Sequence, residues 1–126
     1  MDKSLTLKEV QEQFGTEEQC LDYLTKRRFK EGLFCPHCDN KHIYIFSDNR
    51  TYKCSSCKKK FNVKTKTIYQ ASKIPLTSWF LAEYYVMIDK NKITSVELAK
   101  RLGITQKTSW FMIQRIKEDY KIRQVE

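Results

Sequence analysis

Apolar positions along this 126-residue chain change period twice. In TLKEVQEQFGTEEQCLDYLTKRRF they recur three and four residues apart, which predicts two short amphipathic helices broken at Gly15, with Thr16 capping the second. Cys20 shares that spacing with Leu21 and Leu24 and reads as a small buried hydrophobe. The middle of the chain follows a different rule: IYIF (43–46) is β-prone, SDN (47–49) has turn chemistry, RTYK (50–53) returns, and FNV (61–63) offers a third strand. At Pro75 the helical period resumes, and LTSWFLAEYYVMID predicts one well-buried helix with Leu76, Trp79, Phe80, Tyr84, Met87 and Ile88 inward.

The segment TSVELAKRLGITQKTSWFMIQRIK predicts a helix, a sharp turn and a second helix. Thr94 and Glu97 make a capping box, Leu98 and Leu102 face inward, and Ala99 permits close helix approach. Gly103 supplies the left-handed residue that ends the first helix, and Ile104 plugs the core. Thr105 caps the second helix, whose inward face is Ser109, Met112, Ile113 and Ile116. These offsets are those of a helix-turn-helix, although a plain helical hairpin would share many of them.

Charge sharpens the picture. The chain has 24 basic and 15 acidic residues, a net of +9, unevenly spread. Residues 1–34 are nearly balanced, whereas residues 50–73 carry Arg50, Lys53, Lys58, Lys59, Lys60, Lys64, Lys66 and Lys73 with no acid. Residues 92–117 add further basic groups against Glu97 alone. That asymmetry favours a polyanionic partner, nucleic acid first, over a merely solvated basic surface. Hydrophobic residues at 40% and charged residues at 31% argue for a folded domain rather than disorder. The longest mostly apolar run, WFLAEYYVMI, contains Glu83 and falls well short of the ~20 residues that span a bilayer, so no membrane partner is expected. The start, MDKSLTLKEV, does not resemble a secretory signal, which implies a cytoplasmic protein, associated with the nucleoid when bound to DNA.

Within this frame the cysteines acquire a role. Cys35 and Cys38, then Cys54 and Cys57, form two pairs of identical internal spacing flanking the predicted hairpin, the arrangement by which two tight turns offer four thiolates to one tetrahedral zinc. Two disulfides would need an oxidising compartment, and a thioredoxin-like redox site would need one such pair in a βαβ setting. A unit this small cannot fold on apolar burial alone, whereas structural zinc contributes on the order of 10–16 kcal/mol. His37 and His42 lie near the ligands, but the four cysteines complete the shell and leave the histidines as bystanders or as donors to the ligands. Lys53 and Lys58–Lys60 can offset the formal −2 of the site or reach phosphates.

The fold expected is therefore small α+β. An amino-terminal helical segment (1–33) precedes a four-cysteine zinc ribbon of two or three short strands (34–70), a three-helix helix-turn-helix (71–120) and a tail (121–126). If the second helix of the motif enters the major groove, Gln106, Lys107, Trp110 and Gln114 are placed for bases, Arg115 and Lys117 suit phosphates, and the capping Thr105 is counted among the DNA contacts. Lys58, Lys59 and Lys60 join the phosphate contacts. Trp110 and Phe111 are adjacent, and at least one of them is expected to pack against the amino-terminal helices.

TEEQCLDYLTKRRF, FCPHC, YKCSSCKKKF, TIYQASKIPLTSWF and ELAKRLGITQKTSWFMIQRI, in this order and spacing, resemble the amino-terminal region of bacterial insertion-sequence transposases that carry a zinc ribbon. The resemblance implies a ribbon and helix-turn-helix that recognise the element's terminal inverted repeats in double-stranded DNA, with cleavage and joining done by an RNase H-like domain. This sequence stops at Glu126, before any such domain, and Asp48, Asp89 and Asp119 are too scattered to hold a shared magnesium, so no catalytic residue and no strand transfer are expected. Asp39 and Lys66 stand where family members often have glycine. A small transcription regulator using the same motif at a promoter is the alternative. A homodimer and association with a full-length transposase are the assemblies to consider.

Overall fold

A computed structural model describes residues 4–70, 72–89 and 91–125, the last four by backbone alone. Two compact units emerge: residues 21–72, and residues 1–20 together with 73–126.

The second of these is helical. Helix α1 (Leu7–Gln13) is closed at its start by Thr6 and Glu9, each accepting from the other's backbone N–H. Thr16 and Gln19 repeat the exchange at α2 (Glu17–Arg28), with both bonds at 3.1 Å. Between them Gly15 leaves no room for a side chain, since a Cβ there would lie 2.6 Å from the Gln11 carbonyl oxygen. Helix α3 (Leu76–Glu83) starts after Pro75, which has no side chain able to cap it. The first-turn N–H of Thr77 is instead taken by the Glu17 carboxylate at 3.0 Å, sixty residues away in sequence, which also sets a negative charge at the positive end of the helix dipole. Phe14 meets Phe80 edge to face at 4.9 Å, and Val10, Cys20, Leu76 and Trp79 are buried.

The single helix expected over Leu76–Asp89 is interrupted. Residues Tyr84–Ile88 form a π-turn, closed by an Asp89 N–H to Tyr84 carbonyl bond of 2.9 Å. Up to the π-turn the buried stripe of Leu76, Trp79, Phe80 and Glu83 keeps the ordinary helical spacing; within it Tyr85 is buried, while Tyr84, Met87 and Ile88 are only half-buried.

Helices α4 (Ser95–Leu102) and α5 (Gln106–Val125) follow the pattern closely. Thr94 accepts from the Glu97 N–H at 3.2 Å, Gly103 takes φ 68°, and the N–H of Ile104 reaches the Ala99 carbonyl at 3.1 Å. The left-handed φ explains why glycine stands there. Leu98, Ser109, Met112, Ile113, Ile116 and Tyr120 are buried. Ser109 donates its hydroxyl to the Ser95 carbonyl at 2.8 Å, so a small polar residue satisfies itself where the helices meet.

The other unit holds the end of α2 and a three-stranded antiparallel sheet, β1 (Ile43–Ile45), β2 (Tyr52–Cys54) and β3 (Lys60–Phe61), in that spatial order. Its core is small: Cys35, Tyr52, Cys54 and Phe61, with Phe29, Leu33, Ile43 and Cys57 around them. Arg28 donates to the Val63 carbonyl at 2.8 Å beneath two aromatic rings, and Asp22 pairs with Arg50 at 2.7 Å. The turn from β1 to β2 is held by Asp48, whose carboxylate accepts from the N–H groups of Arg50 and Thr51 and from the Thr51 hydroxyl, while Asn49 adopts φ 57°. Those donors hold the Asp48 carboxyl below its usual range.

Candidate functional site

The two cysteine pairs sit in turns of the same construction. In the first, the N–H of Asp39 bonds the Cys35 carbonyl at 2.8 Å, and the N–H of Cys35 bonds the Asn40 carbonyl at 2.8 Å. In the second, the N–H of Lys58 bonds the Cys54 carbonyl, and that of Cys54 bonds the Lys59 carbonyl, both at 3.1 Å. Each turn closes on a left-handed residue, Asp39 at φ 65° and Lys58 at φ 63°. Lys66 is left-handed as well, at φ 59°, so both Asp39 and Lys66 adopt a backbone that glycine favours. The turns are tied together by His42, whose carbonyl accepts from the N–H of Ser55 at 3.1 Å and from its hydroxyl at 2.8 Å.

This framework brings the sulfurs of Cys35, Cys38, Cys54 and Cys57 within 4.8 Å of one another. Cys35 and Cys57 are 3.7 Å apart and Cys38 and Cys54 3.4 Å apart, too far for a disulfide bond of about 2.05 Å. A tetrahedral zinc with Zn–S bonds of about 2.3 Å would set sulfur–sulfur edges near ~3.8 Å, so the donor set fits in element, number and spacing. Backbone N–H groups of His37, Ser56 and Cys57 approach the sulfurs at 3.3 to 3.5 Å and stabilise negative charge there. Burial opposes a thiolate at Cys54, but the amides of Cys57 and Ser56 and the thiols of Cys38 and Cys57 pull its pKa down to about 6. At Cys38 the Asn40 amide favours the thiolate, yet the facing Cys54 thiol, burial and the other two cysteines push it up to about 11. Charge is concentrated until a divalent cation can share it. The site is structural: four sulfurs fill a tetrahedral shell and leave no position for a reactant.

The predicted nucleic-acid contacts are distributed over both units. Lys58, Lys59 and Lys60 are all exposed, the first two in the second cysteine turn and Lys60 on β3 with its ammonium 5.4 Å from the Phe46 ring centre. In the helical unit, Lys107, Trp110 and Arg115 are exposed on α5, opposite the buried Ser109, Met112, Ile113 and Ile116. The Thr105 hydroxyl accepts from the Thr108 N–H at 3.2 Å and caps the helix, and the Gln106 amide reaches the Ser95 hydroxyl at 3.4 Å. Gln114 and Lys117 line a shallow groove with Met87, Glu118, Tyr120 and Lys121.

Two exposures depart from the sequence pattern. Phe111, expected with Trp110 to supply at least one core ring, is 49% exposed beside a 51% exposed Trp110, the rings edge to face at 5.4 Å. Buried positions on α5 already fall at 109, 112, 113, 116 and 120, and neither residue lies on that stripe. Tyr44 and Ile45 on β1 are 63% and 58% exposed. Strand alternation in IYIF turns these two side chains to opposite faces, so their joint exposure marks β1 as an edge strand open on both sides.

A four-thiolate ribbon on a three-stranded sheet, joined in one chain to helices of which one presents a basic and aromatic face, defines the class as zinc-ribbon protein. Within that class, residues 15–60 match the family model described as the transposase zinc-ribbon domain. The chain is also similar to an uncharacterized protein in transposable element ISH50 of Halobacterium salinarum, at 29% identity over 107 residues. That alignment covers 81% of this chain and 35% of the relative, so the chain spans about a third of the relative's length. No solved structure matches. Both likenesses agree with the transposase resemblance read from the sequence.

Proposed function

We propose that the chain is the DNA-binding module of an insertion-sequence transposase and reads the element's terminal inverted repeats through α5, the zinc ribbon serving as a structural partner that adds phosphate contacts. The observation that carries this reading is the outward face of α5, where Lys107, Trp110, Phe111 and Arg115 stand exposed behind a sharp Gly103 turn. Lys107 and Gln114 would discriminate bases, whereas Lys58, Lys59 and Lys60 would bind any duplex. The similarity to transposase zinc ribbons supplies the biological setting.

In this reading the chain binds ends and performs no strand transfer. Asp48 spends its carboxylate on its own turn, and Asp89 accepts from the Asn91 N–H at 3.1 Å beyond the π-turn. Among the described residues the four cysteines form the sole cluster of three or more metal-ligating side chains.

The test is capture of sheared host genomic DNA by the zinc-loaded protein, followed by sequencing. Inverted repeats flanking mobile-element genes should be enriched; enrichment of promoters, or none over input, would overturn the reading. Lys107→Ala and Gln114→Ala should erase that enrichment, while neutralising Lys58–Lys60 should weaken binding to all sequences alike.

A further inference from the structure

We propose that the open face of the ribbon sheet is a binding site for unpaired nucleotides, with Tyr44 as the stacking ring and Lys53 and Lys60 as the phosphate contacts. This site lies on the ribbon and not on α5, and shares only Lys60 with the duplex contacts proposed above.

The strand register builds it. Ile45 pairs with Tyr52 and Tyr52 with Phe61, which makes one row across the three strands; its β2 and β3 members are buried at 5% and 3% exposure, and Ile45, on the edge strand, is exposed. The neighbouring row is Tyr44, Lys53 and Lys60, and the pleat turns it to the opposite side. Tyr44 is the most exposed large hydrophobic side chain described, and Lys60 is also open to solvent. Phe46 lies two residues beyond Tyr44 on the same side, and the Lys60 ammonium rests over its ring. That cation–π contact fixes the position of the lysine and leaves its other N–H donors free to point outward.

Charge selects the occupant. From Asn40 to Ser72 the chain has one acid, Asp48, whose two oxygens are already occupied by Arg50 and Thr51. A protein partner without acidic groups gains nothing from the flanking lysines, whereas a polyanion carrying flat rings uses both. Bases in a duplex stack on each other and offer no face to Tyr44; unpaired bases do. A sheet bearing an exposed aromatic ring among lysines is the platform that single strands occupy, with stacking tolerant of sequence and affinity sensitive to salt.

The experiment uses the full chain with stoichiometric zinc and a fluorescein-labelled oligothymidylate, against a hairpin duplex. Tyr44→Ala should weaken oligothymidylate binding roughly tenfold or more and leave duplex binding unchanged, while Tyr44→Trp should retain both. Replacing Lys53 and Lys60 together by glutamine should reduce the single-strand salt slope by about 1.4, at about 0.7 per neutralised phosphate. Lys107→Ala, which tests the duplex reading, should not affect the oligothymidylate. Wild-type affinity in Tyr44→Ala, or an equal loss on duplex and single strand, overturns the proposal. A Tyr44→Ala change in sedimentation without a change in oligonucleotide affinity also overturns it, and reassigns the face to contact between copies of the chain. Because Tyr44 is exposed, retained zinc stoichiometry suffices to show that the variant is folded.

Discussion

The ribbon unit and the helical unit solve the same problem by opposite means. Residues 21–72 bury Leu24, Tyr52, Phe61, Val63 and Tyr69, and gather Tyr52 and Phe61 with cysteines held by paired backbone turns. The helical unit buries Val10, Phe14, Leu76, Trp79, Phe80, Leu98, Met112, Ile113 and Ile116 and needs no metal ligand. One unit is held by a few directed bonds whose loss is catastrophic, the other by many undirected contacts whose individual loss is graded.

The largest expected effect breaks that comparison directly. Chelation should remove on the order of 10–16 kcal/mol from the ribbon and unfold it, and Cys54→Ser, which leaves three of the four thiols, should remove part of that. Hydrogen exchange should then show β1–β3 unprotected while α4 and α5 keep their protection; loss of protection in both would mean that the units do not fold independently. Thiol counting sharpens the point. Cys20 is buried, and burial, reinforced by Glu17 and Glu83, pushes its pKa up to about 12, so at pH 8 it is a neutral, shielded thiol. With zinc bound no thiol should react quickly, after chelation four should, and Cys20 should respond only when denaturant melts the helices.

Smaller effects come from single side chains. Leu98→Ala leaves a cavity between α4 and α5 and should cost about 2–5 kcal/mol, with zinc affinity unchanged. Its readout is the denaturation midpoint of the helical unit, followed separately from zinc release. The smallest effect has the opposite sign. Asp39 and Lys58 hold a left-handed backbone that costs an L-residue about 1–2 kcal/mol, and glycine returns about 0.4–1 kcal/mol of this as unfolded-chain entropy. Asp39→Gly or Lys58→Gly should therefore stabilise the ribbon by roughly 0.5–1 kcal/mol each, visible as slower zinc loss to a chelator; faster loss would show that the side chains contribute more than their strain.

What the sequence made legible was local in every case. Both cysteine turns, the Asp48 turn, the Thr16 and Thr94 caps and the Gly103 stop are each decided within a few residues, so spacing and side-chain chemistry reveal them. The cap that Glu17 provides to Thr77 was not legible, because it joins residues sixty positions apart. The π-turn was hidden for another reason: LTSWFLAEYYVMID is apolar nearly all round, so a one-residue change of phase after Glu83 alters little in the pattern, although Tyr85 is buried there and Met87 and Ile88 are only half-buried. Phe111 and Tyr44 were misplaced or overlooked because aromatic residues beside other apolar residues read as core by default. Exposure of that kind is decided by what the partner strand or helix already covers, and it is in those two places that binding surfaces are proposed.

The helical unit is interrupted in the chain, leaving at residue 20 and resuming at residue 73. A ribosome therefore delivers the ribbon before the partners of α1 exist: Phe14 waits for Phe80, and Glu17 becomes a cap only once Thr77 has emerged. A ribbon that captures its metal on the nascent chain turns a long floppy excursion into a compact one, and so lowers the entropy of closing residues 1–20 onto the later helices. Zinc capture during synthesis then eases the docking of α1 alone, since α4 and α5 lie wholly after residue 73 and need no closure across the ribbon.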